Sequence, residues 1–346
     1  MTDLEIGRAV DWGVAATVGG WLARPAPPMT DYTRTQVIDE LLRGARTAEP
    51  LVREVTGLGP EVSADDVPEA RVVDRPRWIA AAAESMRAMT GGTDRPAGVF
   101  TGRLAGAQTG ALLAFVSAGI LGQYDPFGAD GGALLLVYPN IVAVERQLRV
   151  TPADFRLWVC LHEVTHRVQF DVNPWLAGYM SEALATLTGD SAPDVGEVVG
   201  RLADQLRGRH DDDAGAPSGI LGLVRAVQSE TQRAALDQLL TLGTLLEGHA
   251  DHVMDAVGPI AVPSVATIRS RFEERRQRRQ PPLQRLLRAL LGLDAKLSQY
   301  TRGKAFVDAV VGRVGMDRFN TVWSGPQTLP LLSEIEEPQT WIDRVL

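Results

Sequence analysis

His162-Glu163-Val164-Thr165-His166 sets two imidazoles one helical turn apart, with a carboxylate next to the first of them. That spacing lets both rings bind one metal ion while the glutamate reaches the water beside it. The geometry holds only on a helix, so the flanking residues decide the reading. At 100° per residue, Leu157, Leu161, Val164 and Val168 fall within about 60° of one another and form an apolar stripe suited to a core. His162 and His166 fall roughly opposite, with Gln169 beside them. Thr151-Pro152-Ala153-Asp154 reads as a helix start and Asn173-Pro174 as its end. The pattern therefore predicts a helix over 152–171 with one face buried and the other open to a cleft.

Two imidazoles do not complete a zinc site, and the third ligand must be an acid or a histidine on another helix. Glu247 is one candidate, in Leu245-Leu246-Glu247-Gly248-His249-Ala250-Asp251-His252, within a stretch that reads as helix over 229–257 with Ser229 as its cap. Asp251 follows Glu247 by four and shares its face, where it could accept a hydrogen bond from the second nitrogen of a ligating histidine. Glu182 is the other candidate, 16 residues after His166, but Thr186 stands where an acidic partner would be. His249 and His252 are further alternatives. Ligand chemistry and the Asp251 spacing favour Glu247.

These segments, together with Pro174-Trp175-Leu176 and Lys296-Leu297-Ser298-Gln299-Tyr300, resemble the actinobacterial zincin-like metallopeptidase family. Its members are often labelled by an association with coenzyme F420 biosynthesis. The resemblance runs from Asp11-Trp12 to Trp341-Ile342-Asp343-Arg344 and implies a mostly helical zincin fold holding Zn2+. Tyr300 lies in a shared segment, and zincins commonly place a tyrosine where it donates to the oxyanion of a tetrahedral intermediate. A packed tyrosine with a satisfied hydroxyl is the alternative.

The rest of the chain fits an intracellular enzyme. Its 346 residues, 45% hydrophobic, can bury a large core as one zincin-like domain or two lobes. A helical region with the cleft wall would occupy 1–130, the strand and metal-binding helices 131–260, and a C-terminal helical region 261–346. A net charge of −8 argues against general nucleic-acid binding. The single Cys160 excludes an internal disulfide, and Met1-Thr2-Asp3-Leu4-Glu5 lacks the start of a signal peptide, so a cytoplasmic location is expected.

Periodicity predicts an α+β chain that is mostly helical. Helices are expected over 4–17, 31–47, 76–89, 103–121, 152–171, 176–188, 194–207, 229–257, 264–278, 283–300, 303–313 and 338–345. Ala133 to Tyr138, between Gly131-Gly132 and Pro139-Asn140, reads as a strand that either walls the cleft or lies in the core. Leu104 to Leu121 is uncharged, but Gln108, Thr109 and Ser117 with Gly102, Gly106 and Gly110 suit a buried core helix better than a membrane span. Residues 210–218 read as a solvated loop, and the arginines of 269–279 as a solvated helix face. The expected function is gluzincin-like: zinc on His162, His166 and Glu247, Glu163 as general base, Asp251 orienting a ligand and Tyr300 steadying the oxyanion, acting on a peptide or other amide. The competing class is a non-catalytic, zinc-stabilised structural or regulatory protein, in which Glu163 would have no task.

Overall fold

Asp11 opens the first described helix, α1 (Trp12–Leu22), by accepting the backbone amide of Val14 at 2.9 Å. The computed structural model describes residues 9–63, 66–92, 98–128, 132–189, 230–277 and 293–346, and the next two helices start in the same way. Within them the chain is mostly helical with one small sheet. Thr30 caps α2 (Asp31–Thr56), and Gly57 ends it in the left-handed conformation, φ 63°, with its amide on the Arg53 carbonyl. The expected end at 47 is too early. Leu41, Ala45, Ala48 and Val52 are all buried, and that continuous face outweighs the one amide missing at Pro50.

Asp74 caps α3 (Arg75–Met89), and α4 (Val99–Ser117) lies against α1 and α3. The α1–α4 crossing is possible because both helices carry glycine there. A Cβ on Gly106 would lie 2.4 Å from the Asp11 carbonyl oxygen, and one on Gly110 would lie 2.5 Å from that of Ala15. The buried core helix expected here is buried on this face, while Leu104 and Leu112 are exposed. Among the described residues no helix is long and apolar enough to cross a membrane.

The sheet has the order β1 (Arg71–Val73), β3 (Ala133–Val137), β2 (Gly122–Asp125), with β1 parallel and β2 antiparallel to β3. β3 is apolar along its length because both faces are covered. Leu134 and Leu136 join the main core, while Leu135 and Val137 join a smaller one with α1, α3 and α4. Both edges of β3 are paired, so of its two expected places it takes the core, and β1 and β2 are the edge strands, with β2 on the cleft. The strand stops at Val137. Tyr138-Pro139, read as its end, starts α5 (Tyr138–Leu148), where proline suits the first turn.

The main core gathers around α6 (Pro152–Val172), which packs on α2 and on the long α8 (Glu230–Ala261). Residues 138–189 are completed by α7 (Trp175–Gly189), and α9 (Val265–Gln277) follows α8. The Ser229 cap, the 194–207 helix and the 210–218 loop fall outside the described residues. One helix, α10 (Leu293–Val314), runs through the break expected at 301–302, and residues 283–292 of the helix expected before it lie outside the described residues. Gly303 is inside it because a Cβ there would lie 2.1 Å from the Thr244 carbonyl oxygen of α8. The described arginines of 269–275 serve the fold: Arg269 pairs with Asp251 and Asp255, Arg271 donates to the carbonyls of Leu148 and Arg149, and Arg275 donates to Gln147.

Two buried ion-pair groups fix α6. Arg167 donates to Glu49 Oε2 from Nε at 3.0 Å and from Nη2 at 2.6 Å, while Arg53 holds Oε1 of the same carboxylate. Arg156 forks onto Glu145 of α5 at 2.9 and 2.7 Å and also pairs with Glu40 of α2. Removing a shared buried acceptor strands its cations, so Glu49→Leu is expected to lower unfolding stability in urea by about 3–5 kcal/mol. The exposed Arg46–Glu69 pair is the control: Arg46→Met should cost under about 1 kcal/mol. Equal losses would contradict the assignment of Glu49 as a brace. Gly110→Ala should likewise cost about 1–3 kcal/mol by overpacking, whereas Gly312→Ala in α10, where a Cβ meets nothing within 4 Å, should be neutral or gain up to about 1 kcal/mol.

Candidate metal centre and cleft

The apolar stripe of α6 is fully inaccessible at Leu161, Val164 and Val168 and half-buried at Leu157, where it begins. This turns His162 and His166 toward α8, where Glu247 meets them. His162 Nε2 lies 3.3 Å from His166 Nε2 and 3.3 Å from Glu247 Oε2, and His166 Nε2 lies 3.8 Å from Glu247 Oε1. Three corners of a tetrahedron with zinc-like bond lengths of about 2.0–2.1 Å should be about 3.3–3.4 Å apart. The donor set of two imidazoles and a carboxylate therefore fits zinc in chemistry, two of its spacings match, and the third is about 0.4 Å too long. Among the described residues this is the sole group of three histidine, cysteine or acidic side chains close enough to hold an ion. Side-chain exposures of 24%, 14% and 30% leave the three reachable by solvent, as an open site requires and a closed structural one does not.

The alternatives lie elsewhere. Glu182 is exposed on α7. His252 Nδ1 is bonded to Asp308 at 2.7 Å. His249 is fully buried beneath the site, stacked on Phe319 and edge-on to Trp323. Tyr300 lies on α10, and its side chain is outside the described part of the structure.

A glutamine orients the second imidazole. His166 Nδ1 donates to Gln169 Oε1 at 2.9 Å, which leaves Nε2 for a metal. Gln169 is itself fully buried, and its amide donates to the Leu246 carbonyl at 3.0 Å and to His249 Nδ1 at 2.9 Å. Asp251 instead lies 3.6 Å from Arg269 and bonds neither imidazole. The sequence places Gln169 on the histidine face, but its partners on α8 become visible only when the two helices are packed. His162 Nδ1 has the Met254 sulfur at 3.2 Å.

Burial shapes the proton affinities. It pulls His162 down, but Glu247, Glu163 and Asp251 overcome this and raise it to about 9. His166 is lowered, mainly by burial. Burial depresses His249 to about 3, so it is neutral, with Nδ1 free to accept from Gln169. Burial raises Glu163 to about 7, with His162 opposing and Glu247 reinforcing the shift. Glu163 lies under the edge strand: a Cβ on Gly122 would sit 2.6 Å from its Cγ and 2.7 Å from its Cδ. Only glycine lets β2 pass so close. Gly248, next to Glu247, has the same duty against α10, where a Cβ would lie 2.2 Å from the Gly303 carbonyl carbon.

These side chains line a cleft of about 300 Å³ between β2, α6, α8 and the end of α3, with Phe170 and Met180 on its apolar wall. Metal analysis should find about one zinc per chain in the wild-type protein and in Glu182→Ala, and none in Glu247→Ala. In chelator competition Gln169→Leu should weaken zinc binding about 10-fold to 100-fold. Full occupancy in Glu247→Ala would overturn the ligand set.

A search of curated proteins finds no match. Among solved structures the chain is similar to one from Chloroflexus aurantiacus, described as a "putative hydrolase with a novel fold", at 31% identity and a TM-score of 0.65, with 97% of this chain and 98% of that one covered. The family model of the zincin-like metallopeptidases matches residues 10–342, which include both α6 and α8 in full. The chain belongs to the zincin-like metallopeptidase family.

Proposed function

We propose that the protein is a zinc-dependent, gluzincin-like hydrolase of peptide or other amide bonds. The reading is carried by the convergence of His162, His166 and Glu247 in a solvent-reachable cleft, with the Glu163 carboxylate beside them. His162, His166 and Glu247 would hold the ion. Zinc bound by three side chains supplies Lewis acidity and makes water acidic enough to attack near neutral pH.

The remaining chemistry belongs to the chain. Glu163 takes a proton from the attacking water and returns it to the leaving amine. Burial, reinforced by Glu247 and opposed by His162, raises its carboxyl to about 7, and a bound dication would pull it back down and leave Glu163 ionised and ready to accept at neutral pH. Gln169 holds His166 in the tautomer that presents Nε2 to the cleft. The outer edge of β2 can pair with an extended substrate backbone, which would bring the scissile carbonyl into the cleft that Glu163 and the candidate ligands line. Tyr300 remains the oxyanion donor suggested by the resemblance. A reducing, cytoplasmic setting suits the lone, buried Cys160. Nothing in the cleft bears on the coenzyme F420 association, and the reaction does not need it.

Glu163→Gln tests the reading because it keeps the shape of the side chain and removes the base. Zinc content and melting temperature should hold, while turnover of a peptide library should fall by about 10²-fold to 10⁴-fold. A zinc-loaded wild-type protein that cleaves no amide and is indistinguishable from Glu163→Gln would leave a metal-stabilised binding protein as the better reading.

A further inference from the structure

Asp125 ends β2 on the α3 side of the cleft and is only 4% exposed. Side chains alternate along a strand. Gly122 and Tyr124 face α6, the first against Glu163 and the second donating its hydroxyl to Asp171 at 2.6 Å. Gln123 and Asp125 face α3, where Gln123 accepts from the Trp78 indole and Asp125 accepts from the Ser85 hydroxyl at 2.8 Å. The Phe127 amide also donates to Asp125, at 3.0 Å. Both bonds end on Oδ1. Among the described residues Oδ2 accepts none, and the carboxylate lines the cleft beside Met89 and Phe127.

An asparagine would accept the same two bonds through its carbonyl oxygen, so the fold has no need of the negative charge here. Holding a carboxylate out of water without a counter-ion is costly. No lysine or arginine lines the cleft among the described residues. A zinc ion's two charges would offset Glu163 and Glu247, which leaves Asp125 unbalanced until a cation arrives with the substrate.

We propose that Asp125 is the anionic floor of a subsite for an ammonium or guanidinium group of the substrate, with Met89 and Phe127 against its apolar stem. The proposal rests on the amide-hydrolase reading. Asp125 is three residues along β2 from Gly122, about 10 Å. That span suits a lysine or arginine side chain, or a free α-amine, within one or two residues of the bond cleaved.

Calorimetry on the zinc-loaded protein with three hydroxamates tests it. Nα-acetyl-lysine hydroxamate against Nα-acetyl-norleucine hydroxamate isolates a side-chain cation, and norleucine hydroxamate against its acetylated form isolates an α-amine. The cationic member of one pair should bind at least about tenfold tighter, the size expected of a hydrogen bond to a charged group. Asp125→Asn, which keeps the Ser85 and Phe127 bonds, should bring the pair within about twofold. Met89→Lys, which sets an internal ammonium beside Asp125, should do the same with the carboxylate in place. Equal binding within both pairs, or a preference that survives Asp125→Asn, overturns the subsite. If no hydroxamate binds, the metal-centre reading fails and the subsite is judged alone, by NMR titration of the metal-free protein with butylguanidinium. Binding lost in Asp125→Asn supports it, and absence of binding overturns it.

Discussion

The cleft depends on α6 and α8 meeting at one level, and a single buried amide fixes that level. Gln169 has no access to water, so each of its polar atoms must find a protein partner or cost about 1–3 kcal/mol. It finds His166 on its own helix, and the Leu246 carbonyl and His249 on the other. A slip of either helix by one residue would break these bonds together. Leu246 precedes Glu247, so the bond that satisfies the glutamine also sets the height of the carboxylate opposite the imidazoles. His249 completes the arrangement only as a neutral ring, which its burial enforces.

The surrounding fold makes that contact rigid. α6 cannot rotate without stranding Arg167 or Arg156, whose carboxylate partners lie on α2 and α5. α8 cannot retreat from α10, because Gly248 and Gly303 allow their backbones to touch. Gly122 brings the edge strand down onto Glu163. The site is thus held by close backbone approaches at three glycines and by ion pairs kept away from solvent, where loss of one partner costs far more than at the surface.

Local signals carried much of this into the sequence. The His162 to His166 spacing, the Leu161–Val164–Val168 stripe and the Thr151-Pro152 start define α6 without reference to any other element, and Glu247 with its helix follows from the same periodicity. What lay beyond the sequence depends on contacts between distant segments. The break expected at 301–302 does not occur, and Gly303 beside it is glycine for the sake of the Thr244 carbonyl on another helix. The end expected at 47 falls short because the burial that carries α2 on past Pro50 is tertiary. β2 is too short and too polar to be read as a strand, and its role at the cleft comes only from pairing with β3. Asp251 was the expected orienting residue from its spacing to Glu247, but Arg269 faces it and Gln169 holds His166 instead.

The account is tested most directly by a crystal structure of the zinc-soaked protein with anomalous data at the zinc edge. It predicts one ion contacting Nε2 of His162, Nε2 of His166 and the Glu247 carboxylate, a remaining position facing the cleft, and Gln169 still bonded to His166 Nδ1. An ion bound elsewhere, or one closed off by a fourth protein side chain, would contradict it.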